Sequence, residues 1–185
     1  MKKSIIIILA VVVILVIWAV SVYNGLVTMD ENVSGQWANV ETQYQRRADL
    51  IPNLVNTVKG YAKHESETLE AVVELRNTAA KASADEDVMK ANADLTKGIS
   101  KLFALAEAYP DLKANTNFIA LQEQLESIEK DIANARKYYN GCVKDFNNTM
   151  MVFPNNIFAG MFGFKKKPMF EVADAAEREN VKVEF

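Results

Sequence analysis

One cysteine and one histidine, Cys142 and His64, stand in a chain of 185 residues. A single thiol excludes any disulfide within the chain and leaves the redox compartment unmarked. A single histidine excludes the sites that need two. A zinc protease of the HExxH type carries its second histidine one turn after the first, and after His64-Glu65 that position is Thr68. Di-iron helical bundles need two Glu-x-x-His pairs. Neither a glycine-rich phosphate loop nor a G-x-S-x-G elbow occurs. With no recognisable catalytic constellation, a hydrolase is the least favoured class and the chain reads as a non-enzyme without a cofactor. Basic excess is also missing. The formal net charge is −3, which argues against a nucleic-acid partner. Glycine (7) and proline (4) are scarce, so the composition reads as mostly helical.

What is present begins with an apolar run. Ile5 to Val22 contains no charge and as a helix covers roughly 27 Å, close to the hydrocarbon thickness of a bilayer. Trp18 and Tyr23 sit where an aromatic belt lies. The reading is a retained single-pass anchor over 5–23. The rival is a cleaved signal peptide, for which the run is long and Ala19-Val20-Ser21 a poor cleavage site. Lys2 and Lys3 precede the run and Asp30 and Glu31 follow it. The expectation is a short cytoplasmic tail (1–4) and an extracytoplasmic domain.

Residues 24–149 carry stripes of apolar side chains at helical spacing. The first is Leu26, Met29, Val33, Trp37, Val40, Tyr44, Ala48, Ile51, Val55, Val58 and Ala62. It keeps phase across Pro52, which predicts a helix kinked at Pro52 and not ended there. At Gly60 to Ser66 two arrangements stay open, a break capped by Ser66 or a helix running on to about residue 81, and helix lengths favour the break. Ser83-Ala84-Asp85-Glu86 reads as a capping box for the next helix, which Pro110-Asp111 ends. The last helix starts near Asn115 to Asn117, and its stripe runs from Phe118 through Leu125, Ile132, Tyr139 and Cys142 to Phe146. Cys142, on that stripe, is expected to be buried and inert. The fold class is therefore all-α: a transmembrane helix followed by an antiparallel up-and-down four-helix bundle.

Three groups are candidate sites. Arg46, Arg47, Asp49, Pro52 and Asn53 form a polar cluster around the kink. Its functional reading is an anion or partner site. The structural one, preferred, is local pairing or pairing to an acidic residue such as Glu107 or Glu126, with Arg46, Asp49 and Asn53 placed to satisfy groups freed by the proline. The aromatic, glycine-containing segment 150–170 holds Phe158, Phe162 and Phe164, followed by Lys165, Lys166 and Lys167. It reads as a membrane-interface contact or as a plug on the open end of the bundle. The tail 171–185 is polar, and Val183 and Phe185 fit the apolar-x-apolar terminus that PDZ-type domains take by strand addition. A frayed tail, or a strand docked on the bundle, is the plainer reading.

The blocks Arg46-Arg47-Ala48-Asp49-Leu50-Ile51-Pro52-Asn53-Leu54-Val55, Leu102 to Asn115, Tyr139-Asn140 and Phe153-Pro154 together resemble the LemA family of bacteria. The resemblance covers roughly Tyr23 to Phe170. It implies a membrane-anchored four-helix bundle and brings no catalytic residues. Members are often encoded near membrane metalloproteases or small membrane-anchored domains, which implies an envelope role. The expected function is a scaffold or regulator of a membrane or envelope partner, a metalloprotease as the resemblance implies or a PDZ-containing protein as the tail suggests. The alternative is a sensory or ligand-binding bundle acting through a partner.

Overall fold

The computed structural model describes residues 2–171 and is all-α across them. Six helices follow one another: α1 (Lys2–Tyr61), α2 (Ser66–Lys81), α3 (Asp85–Ala106), α4 (Pro110–Lys113), α5 (Thr116–Met151) and α6 (Asn155–Phe162). The chain divides into two compact units. One comprises Met1–Asn39 and Lys137–Met169. The other comprises Val40–Arg136, with Phe170 and Glu171. α1 and α5 each contribute a segment to both.

α1 is one uninterrupted helix that contains Pro52. Its first part is apolar and long enough to cross a membrane, and no residue of that window is buried by protein. Ile5 to Ile17 show about half or more of their surface, so the rest of the described protein does not cover them.

In the unit of Val40–Arg136, the core is built from Ile51, Leu54, Val58, Leu69, Leu95 and Leu102, with Leu112, Phe118 and Leu125 around them. α1 ends at Tyr61 and α2 starts at Ser66, so the break expected over 60–66 is there. Its cap is not the expected one. Glu65 is the N-cap residue of α2, and no side-chain bond closes that end. The Ser83 capping box does not form either. α3 begins after Ala84 with no side-chain cap, and Asp85, Glu86 and Asp87 in its first turn supply negative charge to the helix dipole instead. Pro110 does not stop α3, which has already ended at Ala106. It opens α4 at the first position, where its missing N–H costs nothing. Asn115 caps α5, its Oδ1 accepting from the Phe118 N–H at 3.0 Å.

α2 and α3 approach closely at Gly98. A Cβ placed there would lie 2.7 Å from Leu75 Cδ1, so a side chain at this point requires the Leu75 methyl to move.

The unit of Met1–Asn39 and Lys137–Met169 packs Leu26 and Val33 of α1 with Tyr139, Val143, Phe146 and Met150 of α5. Val143, not Cys142, takes the buried position. Cys142 is half-exposed and faces Asn32, whose Nδ2 lies 3.5 Å from the sulfur, which corrects the expectation of an enclosed thiol. α6 closes with Gly163 at φ 75°, and the Phe164 N–H reaches the Ala159 carbonyl at 3.0 Å. This is the left-handed closure that favours glycine.

Candidate functional site

Two constellations of polar and aromatic side chains stand out, one in each unit. The first centres on Arg47. Along α1 the residues Val40, Tyr44, Arg47, Ile51, Leu54 and Val58 are all buried. They recur at steps of four, three, four, three and four, so Arg47 occupies a core position of the helix. It is 0% exposed. Burying a guanidinium is tolerable only where its charge is well paired; here both terminal nitrogens are, while Nε is buried without a hydrogen-bond partner. One terminal nitrogen donates to Thr96 Oγ1 and to Glu129 Oε1, each at 2.7 Å. The other donates to Asn92 Oδ1 at 2.8 Å and to the Asn92 carbonyl at 3.0 Å. Asn92 is itself buried and anchored by its Nδ2 on the Val88 carbonyl at 2.9 Å. Thr96 donates back to the Asn92 carbonyl at 3.0 Å. The guanidinium thus ties α1 to α3 and α5.

The Tyr44 ring covers one side of this network, with its centroid 5.4 Å from Arg47 Cζ and 5.5 Å from Arg136 Cζ. Arg136 Nε donates to Tyr44 Oη at 3.1 Å and its guanidinium also stacks over Phe170. Burial pushes the Tyr44 phenol above its ordinary pKa, against the pull of Arg136.

The other members of the predicted cluster do not join Arg47. Arg46 is exposed and reaches Gln43 at 2.8 Å and Asp131 at 3.4 Å. Asp49 accepts from Gln45 at 2.7 Å. Pro52 and Asn53 face outward. Glu107 and Glu126, the acidic partners expected for the arginines, pair with Lys113 and Lys130 instead. The acidic partner of Arg47 is Glu129, one helical turn past Glu126. The repair of Pro52 also comes from elsewhere. Its missing N–H frees the Ala48 carbonyl, and Arg76 Nε of α2 donates to that oxygen at 3.5 Å. Sequence reasoning missed Asn92, Thr96, Glu129 and Arg76. Only Arg47 carried a legible signal, its spacing from Tyr44 and Ile51.

The second constellation gathers the aromatic and lysine segment against α1. Phe158 meets Trp18 edge-on at 5.6 Å. Phe162 and Phe164 meet Tyr23 at 4.7 and 6.1 Å. Lys167 Nζ lies 2.8 Å from Asp30 Oδ1. Its backbone is held on both sides by Asn147, whose Oδ1 accepts from the Lys167 N–H and whose Nδ2 donates to the Lys167 carbonyl, both at 3.0 Å. Tyr139 Oη donates to the Pro168 carbonyl at 3.0 Å. Lys165 and Lys166 are exposed.

His64 is exposed in the turn between α1 and α2. Among the described residues no group of three or more metal-ligating side chains comes together. Val183 and Phe185 lie outside the described residues.

The LemA family profile matches residues 36–185, a stretch that takes in Arg47, its partners and the lysine segment. The chain belongs to the LemA family. Curated relatives agree with that placement. Magnetosome proteins MamQ 1 and MamQ 2 of Paramagnetospirillum magneticum are each 26% identical over 181 residues, covering 84% of this chain and 66% of the relative. Protein LemA of Metamycoplasma hominis is 24% identical over 166 residues, covering 87% of this chain and 73% of its own length. The chain therefore spans just under two thirds of the length of the MamQ relatives. Within the LemA family's matched region, the arginine pair at 46 and 47 divides into an exposed residue and a sealed one.

Proposed function

We propose that this LemA-family protein is a non-enzymatic, single-pass anchored helical bundle that scaffolds or regulates a protein partner in the cell envelope. The observation that carries the reading is the fate of Arg47. The polar cluster around Pro52 has its arginine at 47 enclosed, with both terminal nitrogens engaged by Asn92, Thr96 and Glu129. A guanidinium held this way fixes helices and is not offered to a substrate. We propose an antiparallel arrangement of α1, α2, α3 and α5, with α1 bending near Pro52 as the proline's steric demand favours. Lys2 and Lys3 on one side of the apolar run, with Asp30 and Glu31 on the other, favour a cytoplasmic N-terminus and an extracytoplasmic domain. The partner classes proposed are a membrane metalloprotease and a PDZ-containing envelope protein, the latter through Val183 and Phe185.

Crosslinking in intact cells followed by mass spectrometry tests this. The arms are the full chain, a chain ending before Val181, and the apolar anchor alone. The full chain should enrich a defined partner over the anchor. The same proteins recovered from both would count decisively against a scaffold. Loss of the partner on truncation would assign its recognition to the tail.

A second reading, a ligand-binding bundle, draws on one observation. A cleft of about 430 Å³ opens beside Glu129, lined by Thr96, Ser100, Phe103, Gln122, Glu126 and Glu129. A soluble ligand there should raise the unfolding temperature of the full chain, and a screen of small metabolites that moves it nowhere would remove this reading.

A further inference from the structure

We propose that the pocket beside Tyr23 holds the headgroup of an anionic phospholipid, with α6 lying in the bilayer interface beneath it. This rests on Ile5–Val22 being a membrane span and goes beyond a scaffold role by assigning a lipid site. The contacts along α1 supply a depth scale. Phe158 meets Trp18 inside the apolar run, Phe162 and Phe164 meet Tyr23 just past its end, and Lys167 meets Asp30 further out. At the helical rise, Tyr23 lies roughly 2 Å and Asp30 roughly 12 Å beyond Val22 along the axis. The headgroup layer on each side of a bilayer is roughly 5–8 Å thick. Lys165 and Lys166, which lie in the chain between those two contacts, fall at the level of the lipid phosphates.

Below them, α6 turns apolar side chains outward. Ile157 is 52% exposed, Met161 69% and Phe162 52%, and Phe153 just before the helix is 79% exposed. Such a patch on a short helix docked at the depth of Trp18 to Tyr23 suits the boundary between headgroups and acyl chains. Directly above it is a cavity of about 510 Å³ whose lining includes Tyr23, Asp30, Phe162, Phe164, Lys165 and Lys167. Its aromatic lining, Tyr23, Phe162 and Phe164, suits a glycerol backbone and the first methylenes. Its charged lining is net cationic, because Lys167 pairs with Asp30 and Lys165 remains in excess, with Lys166 next in the chain. The two bonds from Asn147 to the Lys167 backbone, and that from Tyr139 to Pro168, hold the segment in place before a lipid arrives.

The test uses the full chain reconstituted in vesicles of phosphatidylcholine alone, or of phosphatidylcholine and phosphatidylglycerol in equal parts. After a carbonate wash, retained lipids are counted by native mass spectrometry. The wild type should retain phosphatidylglycerol over phosphatidylcholine, and excess inorganic phosphate should not displace it. Lys165→Ala with Lys166→Ala should reduce that preference by roughly fivefold per lysine, about 25-fold together, without releasing the protein from the vesicles. Lys137→Ala with Lys144→Ala, exposed lysines of α5, should leave the preference unchanged. Equal retention of the two lipids by the wild type, or no change in the Lys165 and Lys166 variant, would overturn the lipid site alone. Displacement by inorganic phosphate would reassign the pocket to a soluble anion. Release of the wild type by carbonate would overturn the anchor and this site together.

Discussion

Replacing Arg47 with alanine measures how much of the helical unit depends on one side chain. Removing one partner of a buried, hydrogen-bonded charge pair costs about 3–5 kcal/mol. Two features of the site set the value within that span. The Glu129 side chain is 36% exposed, so water can recover its carboxylate, which lowers the cost. Asn92 is 3% exposed and has no such relief. Its Oδ1 loses the guanidinium donor, a penalty of about 1–3 kcal/mol, and the vacated stem leaves a cavity. The expected loss is about 3–4 kcal/mol, or roughly 10 °C in Tm. Arg47→Lys retains the charge but replaces a fork making four hydrogen bonds with one ammonium, and should lose about 1–3 kcal/mol. Arg47→Met combined with Asn92→Leu removes both buried polar partners at similar volume and should recover most of the alanine loss. Urea and thermal unfolding of the full chain in detergent micelles, followed by circular dichroism, read all of these. A loss under about 1 kcal/mol for Arg47→Ala would refute the account, since a charge at 0% exposure cannot be that dispensable if its bonds are as described.

Pro52→Ala restores a backbone donor to the Ala48 carbonyl and should stabilise the chain by about 1–3 kcal/mol. Arg76→Ala should destabilise the wild type by about 1 kcal/mol, and less in the Pro52→Ala background, which a double-mutant cycle on unfolding free energies resolves. Gly98→Leu should cost about 1–3 kcal/mol by crowding the Leu75 and Val72 side chains of α2, read as a lowered urea midpoint. Because burial raises the Tyr44 pKa in the folded state, the unfolded chain loses that proton first. The contribution of Tyr44 is therefore complete below about pH 10 and declines as pH rises through the folded value. The fall of Tm above pH 10 should be shallower in Tyr44→Phe, and an identical slope would rule out the buried phenol as its source.

The helices and the apolar run were legible in the sequence because both depend on period and length, which single residues hardly disturb. Phe118, Ile132, Tyr139 and Phe146 fall on the buried stripe where the spacing put them. Arg47 escaped for the opposite reason. Its position is as core-like as that of Ile51, but its chemistry marks it as a surface residue, and only a buried partner 45 residues away, Asn92, reverses that assignment. Pairings across elements are invisible to local reasoning. The Ala48 carbonyl was expected to find help from Asp49 or Asn53, and it finds it 28 residues on, at Arg76. Local geometry also misled at helix starts. Ser66 and Ser83 had the right identity for caps, yet each helix opens with negative charge in its first turn and no side-chain bond. At the aromatic segment both readings left open used the same residues. The contacts of Phe158 with Trp18 and of Phe162 with Tyr23 tie those rings to α1, a packing that no spacing rule announces.

The Arg47 network has a dynamic consequence as well. Its four bonds reach Asn92 and Thr96 on one helix and Glu129 on another, so they define a single axial alignment of α1 within Val40–Arg136. Sliding α1 by one turn, about 5.4 Å, would carry the guanidinium away from every acceptor and strand it among leucines. Piston-like displacement of α1 past α3 is thereby closed to this unit as a way of passing a message. Any signal it conveys must travel through rotation about that pin, or through what attaches to its surface.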